Sequence, residues 1–129
     1  FKNMTVTNTG EGCSGIRMSN AKVVLTDVAL KGCHRYALYI PDSTSETTVV
    51  ATRCEFANND YGAFVEGSLI SATFNNCVFH DNKYDGVYGY QSTIHLHGEA
   101  TATHSNGTNG IRANGSAKAS ARYSSDPSL

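Results

Sequence analysis

A degenerate repeat of about 24 residues, carried by three columns of alternating apolar positions, constrains this chain more than any other feature. Five segments align on a small residue followed by an apolar pair. They are Gly15-Ile-Arg-Met, Ala37-Leu-Tyr-Ile, Gly62-Ala-Phe-Val, Gly86-Val-Tyr-Gly and Gly110-Ile-Arg-Ala, at steps of 22, 25, 24 and 24 residues. A second column precedes each segment: Met4-x-Val6, Val28-x-Leu30, Cys54-x-Phe56, Cys77-x-Phe79 and Ala100-x-Ala102. A third follows: Val23-x-Leu25, Val49-x-Ala51, Ile70-x-Ala72-x-Phe74, Ile94-x-Leu96 and Ala117-x-Ala119-x-Ala121. Turn-forming stretches such as Asn58-Asn-Asp, Asp81-Asn-Lys and Ser105-Asn-Gly separate the columns.

Three short strands that alternate inward and outward cannot bury a face alone. Winding into a coil and stacking coil on coil solves this, with each strand pairing in parallel about 4.8 Å from its equivalent. Parallel crossovers are right-handed. The expected fold is therefore all-β: a right-handed parallel β-helix of about five coils, three short strands per coil. One domain spans residues 1–121, and 122–129 reads as a C-terminal exit tail. An antiparallel sandwich would explain the strand density but not a period common to three columns. A leucine-rich horseshoe lacks its Leu-x-x-Leu-x-Leu signature here.

The pattern Cys54-x-Phe56…Asn59…Gly62-Ala and Cys77-x-Phe79…Asn82…Gly86-Val resembles the right-handed β-helix repeat family, the pectate-lyase-like superfamily. That group includes pectate lyases, rhamnogalacturonases and mannuronan epimerases, alongside adhesins and tailspikes. The resemblance covers nearly the whole chain. It implies the fold and leaves the activity open. Enzymes of the family carry more coils and a helical N-terminal cap, whereas this chain opens straight into a coil. Uncapped coil ends expose unpaired backbone and invite association.

Composition narrows the partners. A formal net charge of −1 argues against nucleic acid. No stretch approaches the roughly 20 apolar residues of a membrane span. The chain begins at Phe1, which reads as a processed product or a segment of something larger. Asn3-Met-Thr, Asn106-Gly-Thr and Asn114-Gly-Ser have the form of N-glycosylation acceptors, which points to a secreted or cell-surface protein. Cys54 and Cys77 fall in one inward column, where buried thiols are the expectation. Cys13 and Cys33, in equivalent turns, are the better candidates for a disulfide.

Burying Ile16/Met18, Leu38/Ile40, Ala63/Val65, Val87/Gly89 and Ile111/Ala113 places Arg17, Tyr39, Phe64, Tyr88 and Arg112 outside. The opposite register would bury two arginines. Glu66 and Tyr90 extend this face from the next outward column, and Tyr36, Tyr61, Tyr84 and Asp85 from the preceding turn. Three uses of such a face stay open: an exterior ladder that ties strands together, a protein interface, and a stacking platform for sugar rings. We expect a non-catalytic scaffold or binding module that presents this face to another protein chain or a polysaccharide, within a larger assembly. The alternative is a lyase- or epimerase-like protein acting on acidic glycans. The resemblance implies clustered carboxylates and a base for that chemistry. Glu66, Asp60 and Asp85 are spread over two coils, and Arg17 and Arg112 lie at opposite ends. No catalytic residue, metal ligand or cofactor is assigned. His95 and His97 stand at i and i+2 without further ligands of the kind zinc needs, and His80 and His104 are expected to stack across coils.

Overall fold

The computed structural model describes residues 1–122. Its strands follow one another as β1 (Lys2–Val6), β2 (Ile16–Arg17), β3 (Lys22–Lys31), β4 (Tyr36–Ile40), β5 (Thr47–Thr52), β6 (Glu55–Ala57) and β7 (Tyr61–Glu66). They continue as β8 (Ile70–Asn75), β9 (Val78–His80), β10 (Val87–Tyr90), β11 (Thr93–His97), β12 (Ala102–His104), β13 (Ile111–Asn114) and β14 (Lys118–Arg122). Every strand pairing is parallel and joins equivalent positions of successive coils. The result is the expected β-solenoid of about five turns. No helix among the described residues is long and apolar enough to cross a membrane.

The pairings form three columns. One runs β2-β4-β7-β10-β13 and is a separate sheet. The other two are β5-β8-β11-β14 and β6-β9-β12, and they fuse because β3 turns the corner between them unbroken, pairing with β5 through Lys22–Thr26 and with β6 through Ala29–Lys31. β1 joins the second of these columns through β3.

Corners are built from left-handed backbone. Between the fused columns, Asn3, Asp27, Arg53, Asn76 and Gly98 occupy equivalent places and all have positive φ. The next corner repeats this with Gly32, Asn58, Asp81 and Ser105. A third uses Gly67, Gln91 and Gly115. Asn, Asp and Gly tolerate this conformation best, which explains their recurrence at the repeat period. Arg53 is less suited to it, and its side chain is held by a two-point ion pair to Asp27, at 2.8 and 2.9 Å.

Inside, the apolar pairs stack from coil to coil. Leu30, Phe56 and Phe79 lie in one file, with Phe56 on Phe79 at 4.6 Å between nearly parallel rings and Phe74 edge-on to both. All four are fully buried. In the first coil Met4-x-Val6 keeps the register, although Met4, at the end of the stack, is 41% exposed. The inward pairs of the second to fourth coils match the sequence reading. The fifth does not. Thr103, not Ala102, stands opposite Phe79, so the inward pair is Thr101-x-Thr103. Threonine serves a strand interior because it is β-branched, and the Thr101 hydroxyl is satisfied by the His97 carbonyl. Ile111, expected inside, keeps 38% exposure because β13 is the last strand of its column among the described residues. The exit tail expected over 122–129 lies, beyond Arg122, outside the described residues.

A polar file runs through the corner beside Phe56 and Phe79. Asn59, Asn82 and Asn106 stack at the coil spacing. Asn82 Nδ2 donates to the Phe56 carbonyl (3.1 Å) and to Asn106 Oδ1 (2.9 Å), while its own Oδ1 accepts from Asn59 N (3.1 Å) and Nδ2 (3.2 Å). Asn59 Nδ2 reaches the Leu30 carbonyl, Asn106 Nδ2 the Phe79 carbonyl, and Cys33 N donates to Asn59 Oδ1. Each amide thus satisfies backbone groups that the corner removes from the strand ladders. Asn106, read from sequence as part of a glycosylation tripeptide, is a rung of this file. All four cysteines are free thiols; Cys54 and Cys77 are buried neighbours, with Cys54 N donating to Cys77 Sγ at 3.5 Å.

Candidate functional site

The separate sheet β2-β4-β7-β10-β13 carries the aromatic face. Its register sets Arg17 beside Tyr39, Tyr39 beside Phe64, Phe64 beside Tyr88 and Tyr88 beside Arg112. Alternation turns these side chains outward while Leu38, Val65 and Val87 go to the core. Phe64 and Tyr88 are stacked at 4.7 Å with 6° between planes, and Tyr39 meets Phe64 at 5.5 Å. Guanidinium groups close both ends: Arg17 lies 5.8 Å from the Tyr39 centroid and Arg112 4.6 Å from that of Tyr88. Asn114, with its amide oriented to suit its neighbours, accepts at Oδ1 from the Tyr88 hydroxyl and the Arg112 guanidinium, each at 3.2 Å.

A second file runs along the preceding corner. Tyr36 meets Tyr61 at 5.3 Å, and Tyr61 meets Tyr84 at 5.1 Å. Arg35 and Lys83 lie over Tyr36 and Tyr84, each at 5.1 Å. The two files touch where Tyr36 packs on Tyr39 (4.8 Å) and, edge-on, on Phe64 (5.0 Å). Burial raises the hydroxyl pKa of Tyr39, with Glu66 adding to the effect, and burial followed by the charge of Asp85 does the same for Tyr61. These hydroxyls therefore remain proton donors.

Two placements differ from the sequence reading. Asp85 is 1% exposed rather than outward: Asn109 Nδ2 donates to it at 3.0 Å, and Arg112 stands 3.9 Å away. Tyr36 is buried in the angle between the two files. Both precede the small-residue column, where backbones approach so closely that a Cβ on Gly62 would sit 2.3 Å from the Gly86 carbonyl oxygen. At Ala37 and Gly86 the preceding residue turns inward, whereas Tyr61 before Gly62 is half-buried and Asn109 before Gly110 is exposed. Tyr39, Phe64, Glu66 and Tyr88 are half-buried, whereas Arg17, Tyr90 and Arg112 are exposed. Sequence reasoning missed Arg35 and Lys83, although each immediately precedes a tyrosine of the second file.

A profile of one protein family, described as the right handed beta helix region, matches residues 14–124. The chain belongs to the right-handed β-helix family. No curated protein and no solved structure matches it.

In this β-helix the aromatic rings use their faces on one another and on the arginines, which leaves mainly edges and hydroxyls toward solvent. Sugar stacking needs an open ring face. Tyr39, Phe64 and Tyr88 offer little of that, and Tyr90, exposed and without a ring partner among the described residues, offers more.

A cluster of ionisable groups lies on the column of β6, β9 and β12. His80 bonds Asp81 through Nδ1 (2.5 Å) and Glu55 through Nε2 (2.6 Å), Lys31 pairs with Glu55 at 2.8 Å, and His104 stacks on His80 at 5.1 Å. The stacking matches the sequence expectation. Satisfying both carboxylates requires both ring N–H groups, hence the imidazolium. Asp81 first and Glu55 second raise the His80 pKa, while Lys31 and then His80 lower that of Glu55. A raised folded pKa contributes stability that is complete below about pH 6.5, the unfolded value, and is lost as pH rises through the folded one. The urea midpoint of the native chain should therefore fall as pH rises through that window. His80→Gln should flatten the dependence; an unchanged slope would remove His80 as its source.

Proposed function

We propose that this chain is a non-catalytic β-helical scaffold whose aromatic face docks another protein chain, in a secreted or cell-surface assembly. The observation that carries the proposal is the double aromatic file of the separate sheet, bounded by Arg17, Arg35, Lys83 and Arg112. Tyrosine edges and hydroxyls, rigid rings and flanking arginines are the anchors protein interfaces favour. The rings are held by neighbours, so docking costs little side-chain entropy. Glycan stacking is less well served, because the ring faces are already used.

Panning a random peptide library on the native chain and on Tyr88→Ala tests this. The expected result is a convergent peptide motif that loses about tenfold or more in affinity on Tyr88→Ala, as for an interface anchor. Light scattering of the chain with acidic and neutral polysaccharides forms the second arm. A polysaccharide that shifts the mass of the native chain but not of Tyr90→Ala, with no convergent peptide, would overturn the proposal in favour of sugar.

A further inference from the structure

We infer that the cavity at the Arg17 end of the aromatic face is a pocket for a carboxylate, supplied by an acidic side chain of the docking protein. It has a volume of about 410 Å³ and is lined by Tyr36, Tyr39, Arg17, Arg35, Cys13 and Ser14, with Asn8 and Gly12 at its edge. This inference names the partner chemistry of the face and rests on the protein-docking reading.

Charge distribution is the first argument. Among the described residues Lys31, Arg53 and Arg112 have carboxylate partners, whereas Arg17 and Arg35 have none. These two arginines line the same cavity. Each is held from one side by a tyrosine ring, which leaves the N–H edges for a ligand. A guanidinium presents a planar fork of donors that matches a carboxylate.

The walls strengthen the pairing. Tyr36 is buried and Tyr39 half-buried, 4.8 Å apart, so their rings form an apolar side that displaces water. An ion pair against such a wall is screened less than one in open solvent. Tyr39 keeps its proton and can donate a further hydrogen bond. The polar groups of Asn8 are already used: Nδ2 donates to the Ser14 carbonyl and Oδ1 accepts from Gly10 N. Glu66 is the acid whose charge reaches Tyr39, and it is not among the lining residues. The volume lies within the range of small-ligand pockets, which takes an acidic side chain with its neighbours but not a folded element.

A second cavity, of about 490 Å³, has a different lining, in which Lys83 shares the wall with the acids Asp60 and Asp81. It is also walled by Asn59 and Asn82, and the polar atoms of these two and of Asp81 already serve the amide file and His80.

Cys13 supplies a direct readout, because it lines the pocket and is exposed while Cys33, Cys54 and Cys77 are buried. The rate at which N-ethylmaleimide alkylates Cys13 should fall saturably with poly-L-glutamate and not with an uncharged poly-L-glutamine of short, soluble length. Arg17→Gln and Arg35→Gln, both at exposed positions, should each weaken the apparent affinity about tenfold, the loss of one charge-assisted contact. Unchanged circular dichroism and urea midpoint show that the variants fold. Equal protection by both peptides, or protection that survives the double arginine variant, overturns the inference. Protection by polygalacturonate alone overturns the protein source and points to a sugar carboxylate. If Tyr88→Ala leaves the panned peptides bound while the arginine variants abolish protection, the pocket stands and the reading of the aromatic face fails. The converse removes the pocket alone.

Discussion

Asn82→Ala should destabilise the chain by about 2–6 kcal/mol, because it strips partners from two backbone groups at a buried corner. The Phe56 carbonyl loses Asn82 Nδ2, and Asn59 N loses Asn82 Oδ1. Asn82 is 2% exposed, so water does not reach these groups without distortion. Its amide also links Asn59 to Asn106, and a chain of such bonds polarises its members cooperatively. Against the 5–15 kcal/mol typical of a whole domain, the loss is large. Urea unfolding followed by circular dichroism measures it. The end rung Asn106 is half-buried and bonds the Phe79 carbonyl and Asn82 alone, so Asn106→Ala should cost less. Equal costs at the two sites would show that the rungs act independently.

Phe56→Ala should cost a further class of energy, about 3–5 kcal/mol, through the cavity it leaves. Phe56 is wholly buried, stacked on Phe79 and met edge-on by Phe74. Neighbouring coils are fixed by their backbone pairing, which limits collapse into the void. Phe56→Leu keeps most of the volume and should cost under about 1.5 kcal/mol. A thermal scan of both variants separates cavity from aromatic contact. A small loss for alanine would mean that the solenoid closes the gap by tightening.

Much of the architecture was legible because the period is carried three times over. A single column of small residues at 22–25-residue steps would have been weak evidence; three columns in phase leave one solution. The outward ladder followed from Arg17 and Arg112, since burying them is prohibitive, and strand register confirmed the order from Arg17 to Arg112. Alternation failed where the chain leaves a strand. Asp85 and Tyr36 precede the close backbone approach at Gly86 and Ala37, and a two-residue period says nothing about a corner. Thr101-x-Thr103 was missed because apolar counting favours alanine over threonine, although threonine matches the 24-residue step from Cys77. Asn106 follows Asn82 at the same step, yet its place in the amide file was hidden inside a turn-like Ser-Asn-Gly. Which faces the rings use, and so what they leave for a partner, depends on side-chain orientation that no pattern encodes.

The left-handed corners have a consequence for how such a chain changes length. The last three coils each turn on the same three bends, so a cut at one bend and a splice at its equivalent in the next coil removes a whole turn and leaves every remaining strand facing its proper neighbour. An insertion between bends is looped out instead, as in the stretch after Asp42, whose Thr44 and Ser45 are tied to Asn20. Inheritance can therefore add or delete coils in single events, and the length of the aromatic face is counted in whole rungs.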